Sequence, residues 1–455
     1  MVRIFKIYYP LRVPFLLFSD AMIVGLSFVL AAIVLFQEDS YFLLTYDSGF
    51  VKIAVLTVLC VVGLHYFDLY DLRKIGFISE TYFRLLVVLG TFTLFLAVFA
   101  GVFPQFLVGR GVLFLGTLLL TIGLLLWRFV FQRICQAEIF REPILILGDR
   151  KVSTDLSKII RERGDLGWEP VFFEDVRGQG KNGREQESLR ELSSRLQIRR
   201  VIVGFEERRG RMPVQDLAWL RVSGVTVEEA ATVLEKLTGR IDLRFTSASW
   251  LAFSAGFHFS PLRRLQKQLF SMLLSLILVV ISFPLAVLIA LAIKLETRGP
   301  MLIRQRRVGQ NGRFFYTLKF RSMTEESESN GFAPAQANDP RITRVGRFLR
   351  RWHLDELPQL INILRGEMSF VGPRPFVPEW DEQLEEAIPF YPLRHVVKPG
   401  LTGWAQIMRG YCETVEDNRE KLEFDLFYIK NMSLALDLWI IFQTGKFVLF
   451  GRGAQ

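Results

Sequence analysis

Four long apolar stretches within the first 131 residues limit how this chain can fold. Each is long enough, and poor enough in charge, for an α-helix that crosses the hydrocarbon core of a bilayer. The stretches are Val13–Phe36, Phe50–Phe67, Tyr82–Phe103 and Gly111–Phe131. Asp20 is the one acidic residue inside them, and its cost would be relieved near a helix end or facing the other helices. The chain is 51% hydrophobic, which agrees with extensive burial in lipid.

The charges that flank these stretches predict the orientation of the chain. Lysine and arginine concentrate before the first stretch, between the second and third, and after the fourth, whereas the loop after the first is acidic. Basic loops stay on the cytoplasmic side of a membrane. The N-terminus and everything after Arg133 are therefore predicted to lie in the cytoplasm.

A segment with α/β character follows. Pro143–Gly148 and Val201–Phe205 have the continuous apolar sequence of buried parallel strands, and amphipathic helical sequence surrounds them. Gly148 ends the first strand, but this one glycine stands where a dinucleotide-binding turn needs three. The segment is therefore predicted to be a Rossmann-like cytoplasmic module that binds no dinucleotide.

A fifth apolar stretch, Leu269–Leu295, differs from the first four because basic residues flank both of its ends. A helix that crossed the membrane would leave one basic cluster outside, against the positive-inside rule. Pro284 lies in the middle, where it bends a helix, and Ser282 can satisfy a carbonyl that the proline frees. The stretch is predicted to be a re-entrant helix that enters and leaves the bilayer on one side. The alternative is an ordinary kinked fifth span.

The predicted fold class is thus membrane α plus α/β. A four-helix transmembrane bundle covers residues 1–135, the Rossmann-like module covers 140–260, and an α+β domain that begins with the re-entrant helix (about 269–295) covers 261–455. Near the C-terminus, Phe424–Phe450 has aromatic and basic residues at helical spacing, which suits either an interfacial helix or a core helix.

The net charge of the chain favours negatively charged binding partners. Lys and Arg number 56 against 46 Asp and Glu, a formal charge of +10 that suits a lipid bilayer with anionic headgroups or a phosphate-bearing substrate. Nucleic acid is the usual alternative, but zinc-finger spacing, aromatic RNA-binding motifs and an isolated basic helix are absent from the sequence. The three cysteines, Cys60, Cys135 and Cys412, lie far apart, which excludes a disulfide framework and agrees with a reducing compartment.

Two adjacent acids, Asp355 and Glu356, are the first candidates for chemistry. Apolar residues recur at helical spacing through Leu357–Leu364, and Pro358 fits only a first turn, so the acids are predicted at the helix N-terminus. The helix dipole favours ionised carboxylates there. With five arginines just upstream, such a pair can hold a divalent cation, and one acid can attack phosphorus. A helix cap with a solvated acid beside it explains the same residues at least as well.

Several cations near this pair suit phosphate binding. Two prolines bracket Arg374 in Gly372–Pro375 and fix the backbone that aims its guanidinium. Upstream, Arg304 belongs to a basic run, and Lys319 and Arg321 would share one face of a strand. Each cation alone is also consistent with a solvated basic edge or with anionic lipid. Together with the acids and the re-entrant helix, they indicate phosphoryl transfer that involves a lipid substrate.

The C-terminal part resembles the monotopic phosphoglycosyl transferases, which are bacterial polyprenyl-phosphate sugar-1-phosphate transferases. The matching words, all within Leu262–Phe450, are RQRRVGQNGRFF, LKFRSM, DPRITRVGRFLRR, LDELPQLINILRGEMSFVGPRP and KPGLTGWAQI. The preceding spans and Rossmann-like module look like the large form of that family. Three further words, GFEERRGRMPV, LTGRIDL and SWLAFSAGF, resemble the subgroup associated with exopolysaccharide and PEP-CTERM sorting systems.

The resemblance implies a two-step reaction on the cytoplasmic face of the bacterial inner membrane. Asp355 would attack the sugar-linked phosphate of a UDP-sugar and release UMP, and the sugar phosphate would then pass to undecaprenyl phosphate to initiate exopolysaccharide synthesis. Glu356 would assist through Mg²⁺, which both acids would ligate, or through proton handling. The α+β domain would thus be the catalytic domain.

The resemblance also bears on substrate binding and on the re-entrant helix. Arg374 matches the arginine of the family's Pro-Arg-Pro motif. The full predicted substrate-binding set is Lys319, Arg321, Arg374 and Arg304. Pro284 matches the proline that bends the re-entrant helix. Family members often have serine directly before that proline, whereas Phe283 separates it from Ser282 here.

Glucose or galactose is the expected sugar, and a homodimer is plausible for the large form. Two other functions stay open. A membrane-anchored nucleotide-sugar dehydratase also joins four spans to a Rossmann fold, but it would need a complete glycine fingerprint and a Tyr-x-x-x-Lys pair. A non-catalytic platform for polysaccharide assembly would leave the acids structural, and it would keep its function in an Asp355→Asn variant.

Overall fold

The computed structural model describes residues 1–72, 78–103, 109–136, 141–172, 189–205, 212–246, 248–257, 260–324, 339–410 and 414–449. The chain forms two compact units, one of residues 1–3 and 8–230 and the other of residues 4–7 and 231–455. Cys60 and Cys135 are free thiols, and Cys412 lies outside the described residues.

Long apolar helices dominate the N-terminal part of the chain. The elements are β1 (Val2–Ile4), β2 (Ile7–Tyr9), α1 (Arg12–Phe36), α2 (Ser40–Thr45), α3 (Gly49–Tyr66), α4 (Ile78–Val102) and α5 (Arg110–Gln136). By length and composition, α1, α3, α4 and α5 can each cross a membrane, and they match the four predicted stretches. Both α1 and α4 pack against α3 and α5, and the inward side chains of these helices form one apolar core.

A buried ion pair joins α1 to α5. Arg128 donates from Nη2 to the Asp20 carboxylate at 2.6 Å, and both side chains are at most 2% exposed. The Arg128 guanidinium also lies over the ring of Tyr70. Asp20 therefore faces the neighbouring helices, which is one of the two positions that the sequence allowed, and an arginine in the same apolar region compensates its charge.

A parallel sheet follows α5. Its elements are β3 (Glu142–Gly148), α6 (Arg150–Glu162), β4 (Trp168–Phe172), α7 (Leu189–Arg195), β5 (Arg200–Gly204), α8 (Val214–Val222) and β6 (Thr226–Glu229). The strand order is β4-β3-β5-β6, and every pairing is parallel. A Cβ added to Gly148 would lie 2.1 Å from the Gly204 carbonyl oxygen, so close packing of β3 against β5 requires this glycine.

The second unit contains a hairpin, a short parallel strand pair and several helices. Its elements are α9 (Ala230–Thr238), α10 (Ala248–Phe253), α11 (Pro261–Glu296), β7 (Leu302–Val308), β8 (Phe314–Phe320), α12 (Arg344–Arg351), α13 (Gln359–Leu364), β9 (Ser369–Val371), α14 (Pro378–Ala387), β10 (Gly400–Thr402), α15 (Trp404–Arg409), α16 (Val415–Asn431) and α17 (Leu434–Leu449). β7 and β8 pair antiparallel, whereas β9 and β10 pair parallel. The segment predicted as an interfacial or a core helix, Phe424–Phe450, forms two helices within its described residues, the end of α16 and α17. The end of α16 is buried on all sides, as the core alternative requires.

Helix α11 contains the predicted re-entrant stretch and continues through Pro284. Its 36 residues span about 54 Å at about 1.5 Å per residue. Side chains in its middle are strongly exposed: Val280 is 66% and Phe283 is 64% exposed. Ser282 and Pro284 lie in this exposed apolar stretch, which suits contact with lipid.

Both ends of α11 contact the same unit. Near its start, Lys267 donates to the Val371 carbonyl at 2.9 Å and pairs with Asp437 at 2.6 Å. Near its end, an apolar cluster holds it; the members are Ile289, Ile293, Phe320 and Leu349. The exposed middle is therefore bracketed by two anchors to one domain.

The Asp20–Arg128 pair can be tested by a double-mutant cycle. Asp20→Ala alone leaves Arg128 buried without its partner and is expected to cost about 3–5 kcal/mol of unfolding free energy. Combining Asp20→Ala with Arg128→Leu removes the unpaired charge, so this double variant should regain much of the loss. The measurement is thermal unfolding of the purified protein in detergent. Equal losses in the single and double variants would show that the unpaired Arg128 charge is not the source of the loss, against the prediction.

Candidate active site

The two predicted acids lie in a tight turn of their own. Leu354–Glu356 form a 3₁₀ turn, and α13 begins only after Pro358. The acids were predicted at the N-terminus of that helix, and the structure places them in the separate turn that directly precedes it. The physical reason is His353, whose left-handed backbone (φ 54°) reverses the chain between α12 and the turn. Such a conformation is strained in a residue other than glycine and is often found at functional sites.

Glu356 is held by two cations from different parts of the domain. Lys319 on β8 donates to its Oε1 at 3.1 Å, and Arg374, in the loop after β9, donates to both oxygens, with Nη1 at 3.3 Å from Oε2. Burial disfavours the ionised form, but the charges of Arg374 and Lys319 outweigh it and hold the pKa of Glu356 far below its usual range. Glu356 therefore stays ionised at any physiological pH.

Asp355, unlike Glu356, is not paired with any described cation. Its carboxylate makes no ion pair or hydrogen bond with the residues that the structure describes. Burial, and then the negative charge of Glu356, raise the pKa of Asp355, against the smaller opposing effects of Lys319, Arg350 and Arg374. An unpaired carboxylate with a raised pKa is more basic, and hence a better nucleophile once ionised, than a solvated one. The two neighbouring acids are therefore suited to different roles.

Buried contacts hold the backbone of the loop at Arg374. Arg394 is 3% exposed; it donates to the Arg374 carbonyl at 2.9 Å and to Asp425 at 3.0 Å. A Cβ added to Gly372 would lie 2.5 Å from the Lys398 carbonyl oxygen, so only glycine lets the loop pass so close to the chain before β10. The loop that presents Arg374 to Glu356 is thus preorganised.

Arg307 is a site residue that the sequence reasoning missed. It lies on β7, on the hairpin face that also carries Lys319, and donates to the Pro375 carbonyl at 3.4 Å. Burial, and then the positive charge of Arg374, lower the pKa of Arg307 to about 10. Side chains alternate along β7 and β8, so the hairpin register places Arg307 on the Lys319 face. The alternation can be read from the sequence, but the register comes from the structure.

The remaining predicted residues lie elsewhere. Arg304 is exposed on the opposite face of the hairpin from Lys319. β8 ends at Phe320, so the prediction that Lys319 and Arg321 share a strand face is wrong; the chain leaves the strand, and Arg321 donates to the Thr297 hydroxyl at 2.6 Å. The structure therefore brings Asp355, Glu356, Lys319 and Arg374 together, but neither Arg304 nor Arg321 contacts the acids.

The acids offer a limited set of ligands to a cation. Among the described residues, no three His, Cys, Asp or Glu side chains cluster in a way that could hold a metal ion. Mg²⁺ commonly takes only one or two carboxylates and completes its shell with water and substrate phosphates. The unpaired carboxylate of Asp355 beside Glu356 fits a Mg²⁺ that a phosphate substrate shares.

The comparisons with known proteins point to one family. The family described as bacterial sugar transferase matches residues 262–451, the region that holds the site. An exopolysaccharide production protein of Rhizobium leguminosarum bv. phaseoli is 41% identical over 184 residues, which are 39% of this chain and 92% of that protein. This chain belongs to the bacterial sugar transferase family. The resemblance of its C-terminal part to polyprenyl-phosphate sugar-1-phosphate transferases is thereby confirmed.

Two further relatives match this chain over a longer stretch. An undecaprenyl-phosphate glucose phosphotransferase of Komagataeibacter xylinus is 38% identical over 321 residues, 68% of this chain and 60% of that protein. A UDP-N-acetylgalactosamine-undecaprenyl-phosphate N-acetylgalactosaminephosphotransferase of Aeromonas hydrophila is 40% identical over 239 residues, 52% of this chain and 56% of that one. The chain thus spans little more than half the length of these two relatives.

The contrast between the two acids can be tested by chemical labelling. Carbodiimides modify protonated carboxyl groups, so labelling of Asp355 at mildly acidic pH reports how far its pKa is raised. Glu356→Gln removes the neighbouring negative charge, which lowers the pKa of Asp355, and labelling at a fixed pH should become slower. The yield is measured by mass spectrometry of the peptide that contains Asp355. Glu382→Gln, an exposed change on α14, is the matched control, and unchanged or faster labelling in Glu356→Gln would contradict the prediction.

Proposed function

We propose that this bacterial sugar transferase moves a sugar-1-phosphate from a UDP-sugar to undecaprenyl phosphate through a covalent intermediate on Asp355. The observation that carries the proposal is the electrostatic division of the acid pair, with Glu356 held by Lys319 and Arg374 while Asp355 is unpaired. The names of the relatives support it, since they describe transfer of sugar phosphates to undecaprenyl phosphate.

The first step is an attack by a carboxylate oxygen of Asp355 on the sugar-linked phosphorus of the UDP-sugar. A bond forms between that oxygen and phosphorus, and the bond from phosphorus to the bridging oxygen breaks. UMP leaves with the bonding electrons as its phosphate. The result is an acyl phosphate that joins Asp355 to the sugar phosphate, so no proton has to move to the leaving group at neutral pH.

The second step regenerates the enzyme. A phosphate oxygen of undecaprenyl phosphate attacks the same phosphorus, and the bond to the Asp355 oxygen breaks. The carboxylate is released, and the lipid carries the sugar on a diphosphate. Both steps develop negative charge on phosphate oxygens, which the nearby cations stabilise.

The cations have separate parts in this scheme. Lys319 and Arg374 lie against Glu356 on one side, and part of the Arg374 guanidinium remains exposed to meet a phosphate. Arg307 adds positive charge behind the loop of Arg374. Glu356 orients both cations and keeps their charge beside Asp355, and it forms no bond to the phosphorus.

Asp355 and Glu356 are also the residues that would hold Mg²⁺. When bound, the ion would neutralise the diphosphate of the substrate and make UMP a better leaving group.

The substrate and the pathway are narrower proposals. Glucose or galactose is the proposed sugar, since glucose appears in the names of several relatives, although another relative is named for N-acetylgalactosamine. Initiation of exopolysaccharide synthesis is proposed because a relative is named as an exopolysaccharide production protein. A homodimer stays a prediction.

The enzyme is proposed to reside in the bacterial inner membrane with its active site on the cytoplasmic face. Four long apolar helices support a transmembrane bundle, and the basic residues that flank them support the cytoplasmic orientation. The four-stranded parallel sheet supports the Rossmann-like module. The contacts of both ends of α11 with one domain support a re-entrant helix.

The two alternative functions have less support. The dehydratase would need a glycine-rich turn, and Gly148 instead packs against Gly204. The assembly platform does not explain why two cations hold one acid and leave its neighbour unpaired. Family membership favours the transferase over both.

Loss of the nucleophile should abolish turnover. Asp355→Asn is expected to lower the rate of UMP release by about 10⁴-fold or more, because the amide cannot form the acyl phosphate. Intact-mass spectrometry of the wild-type enzyme incubated with UDP-sugar alone should show an added sugar phosphate that is absent from the variant. Asp47→Asn, in an exposed loop between α2 and α3, is the control. An active Asp355→Asn enzyme would exclude the covalent route.

Removal of the metal should stop the reaction reversibly. Treatment with EDTA is expected to lower the rate by about 100-fold or more, since the diphosphate then lacks its counter-charge, and added Mg²⁺ should restore it. The measurement is UMP release at constant ionic strength. A rate that EDTA leaves unchanged would show that the acids work without a metal.

The topology of α11 predicts where its two ends can be labelled. In a cysteine-free background, Arg263→Cys and Arg304→Cys should both react with a membrane-impermeant maleimide in inverted vesicles and not in intact spheroplasts. Asp47→Cys is the opposite control, expected to react in spheroplasts. Labelling of positions 263 and 304 from opposite sides would establish a crossing helix and would remove the same-side arrangement on which the site depends.

A further inference from the structure

Helix α11 is apolar through most of its length, but it has a buried polar face near its start. Lys267 and Ser271 lie one turn apart on this face. Ser271 is 3% exposed, and the side chain of Lys267 is 12% exposed. Burial of a charge and a hydroxyl group is unfavourable unless hydrogen bonds compensate it, so the partners of these two side chains indicate what they do.

The polar face of α11 contacts each residue of strand β9. The Ser271 hydroxyl lies 3.1 Å from the Ser369 hydroxyl and accepts from the Phe370 amide at 3.3 Å. Lys267 donates to the Val371 carbonyl at 2.9 Å. A strand of three residues pairs weakly on its own, so these contacts fix where β9 lies.

The Val371 carbonyl belongs to a larger buried network. Lys267 also pairs with Asp437 at 2.6 Å and donates to the Tyr428 hydroxyl, which in turn donates to Asp437 at 2.7 Å. Tyr428 and Asp437 are both 1% exposed. The pair with Asp437 is enough to neutralise the Lys267 charge. The additional bond to a main-chain carbonyl of β9 therefore indicates a role in holding the strand.

Strand β9 leads directly into the loop that carries Arg374. The chain is held at Val371 by Lys267 and at the Arg374 carbonyl by Arg394, which donates at 2.9 Å. From this backbone the Arg374 guanidinium reaches Glu356. A misplacement of about 1 Å in an active site can cost about 100-fold in rate, so the position of β9 matters for Arg374.

We propose that Lys267 and Ser271 are positioning residues, which fix strand β9 and thereby aim the guanidinium of Arg374 at the acid turn. The inference rests on the proposed function, because the phosphate that Arg374 would meet is that of the UDP-sugar. Neither residue touches the substrate. The helix proposed to enter the bilayer thus also sets the geometry of the active site.

A double-mutant cycle tests whether Lys267 acts through Arg374. Lys267→Met keeps the length of the side chain and removes its ammonium group, and it is expected to lower kcat/KM for UMP release by about tenfold or more. In an Arg374→Gln background the same change should cost less than about twofold, since the residue through which it acts has gone. Equal fold losses in the two backgrounds would overturn the proposal.

Lys430→Met is the matched control for the loss of a buried ion pair. The side chain of Lys430 is 9% exposed, and its partners are Glu235 at 2.6 Å and the ring of Trp250. This variant should lower Tm about as much as Lys267→Met but change kcat/KM by less than about twofold. An equal loss of activity in both variants would show that lost stability explains the effect, against the proposal.

Two milder variants keep the test open where Lys267→Met fails to fold. Combining Lys267→Met with Asp437→Asn removes the unpaired buried charge, and this double variant should show the same non-additivity with Arg374→Gln. Ser271→Ala is expected to lower kcat/KM by about threefold or more. Ser275→Ala is its control, since Ser275 is buried one turn further along and its hydroxyl has no hydrogen-bond partner among the described residues. Equal rates in Ser271→Ala and Ser275→Ala would contradict a positioning role for the polar face.

Carbodiimide labelling of Asp355 gives a readout that does not need turnover. Burial and the charge of Glu356 raise the pKa of Asp355, and Arg374 opposes them. A displaced Arg374 guanidinium should therefore raise that pKa further, so Lys267→Met should be labelled faster than wild type at a fixed pH, and Lys430→Met should not. Unchanged labelling in Lys267→Met would overturn the proposal. If the wild-type enzyme released no UMP from any UDP-sugar, the proposed function would fail, whereas the labelling would still decide whether Lys267 orients Arg374.

Discussion

Two acids that are neighbours in the chain cannot both carry a charge in a half-buried turn unless cations compensate them. In this protein the cations compensate Glu356 far more than Asp355. The ion pairs to Glu356 also join three parts of the domain. Strand β8 supplies Lys319, and the loop after β9 supplies Arg374, and both charges fall on Glu356. Asp355 is left with the repulsion of its neighbour and the cost of burial. The same ion pairs that hold β8, the acid turn and the loop after β9 together thus also leave Asp355 unpaired, with a raised pKa.

Several residues hold the loop that presents Arg374 to Glu356. A single arginine in the right place requires a glycine at Gly372, a buried cation at Arg394 and a carboxylate at Asp425 to neutralise that cation. A buried charge network of this kind is a poor source of stability, since desolvation offsets most of the attraction. It is better understood as a means of holding Arg374 in one orientation.

Local patterns in the sequence predicted the elements whose formation is local. The four apolar helices and strands β3 and β5 lie within a few residues of their predicted bounds, because hydrophobic periodicity is a property of one segment. Lys319, Arg374 and the acids came from short motifs. Failures occurred where the answer depends on distant pairing. The hairpin register places Arg307, and not Arg304, on the face that carries Lys319. Strand β8 ends at Phe320, so Arg321 leaves this face and donates to Thr297 instead. The sequence did not decide between an interfacial and a core helix at the end of α16, because packing partners on every side cannot be seen in one segment.

Helix α11 is held near both of its ends by the domain that carries the acids. An ordinary membrane-spanning anchor tilts or shifts when the bilayer becomes thinner or thicker, and whatever it carries moves with it. A helix tied at two points to one folded body cannot adjust in this way. In the proposed re-entrant arrangement, the height of Asp355 above the lipid headgroups would be set by the dimensions of the protein itself, so the enzyme would meet its proposed lipid substrate at the same level in membranes of different composition.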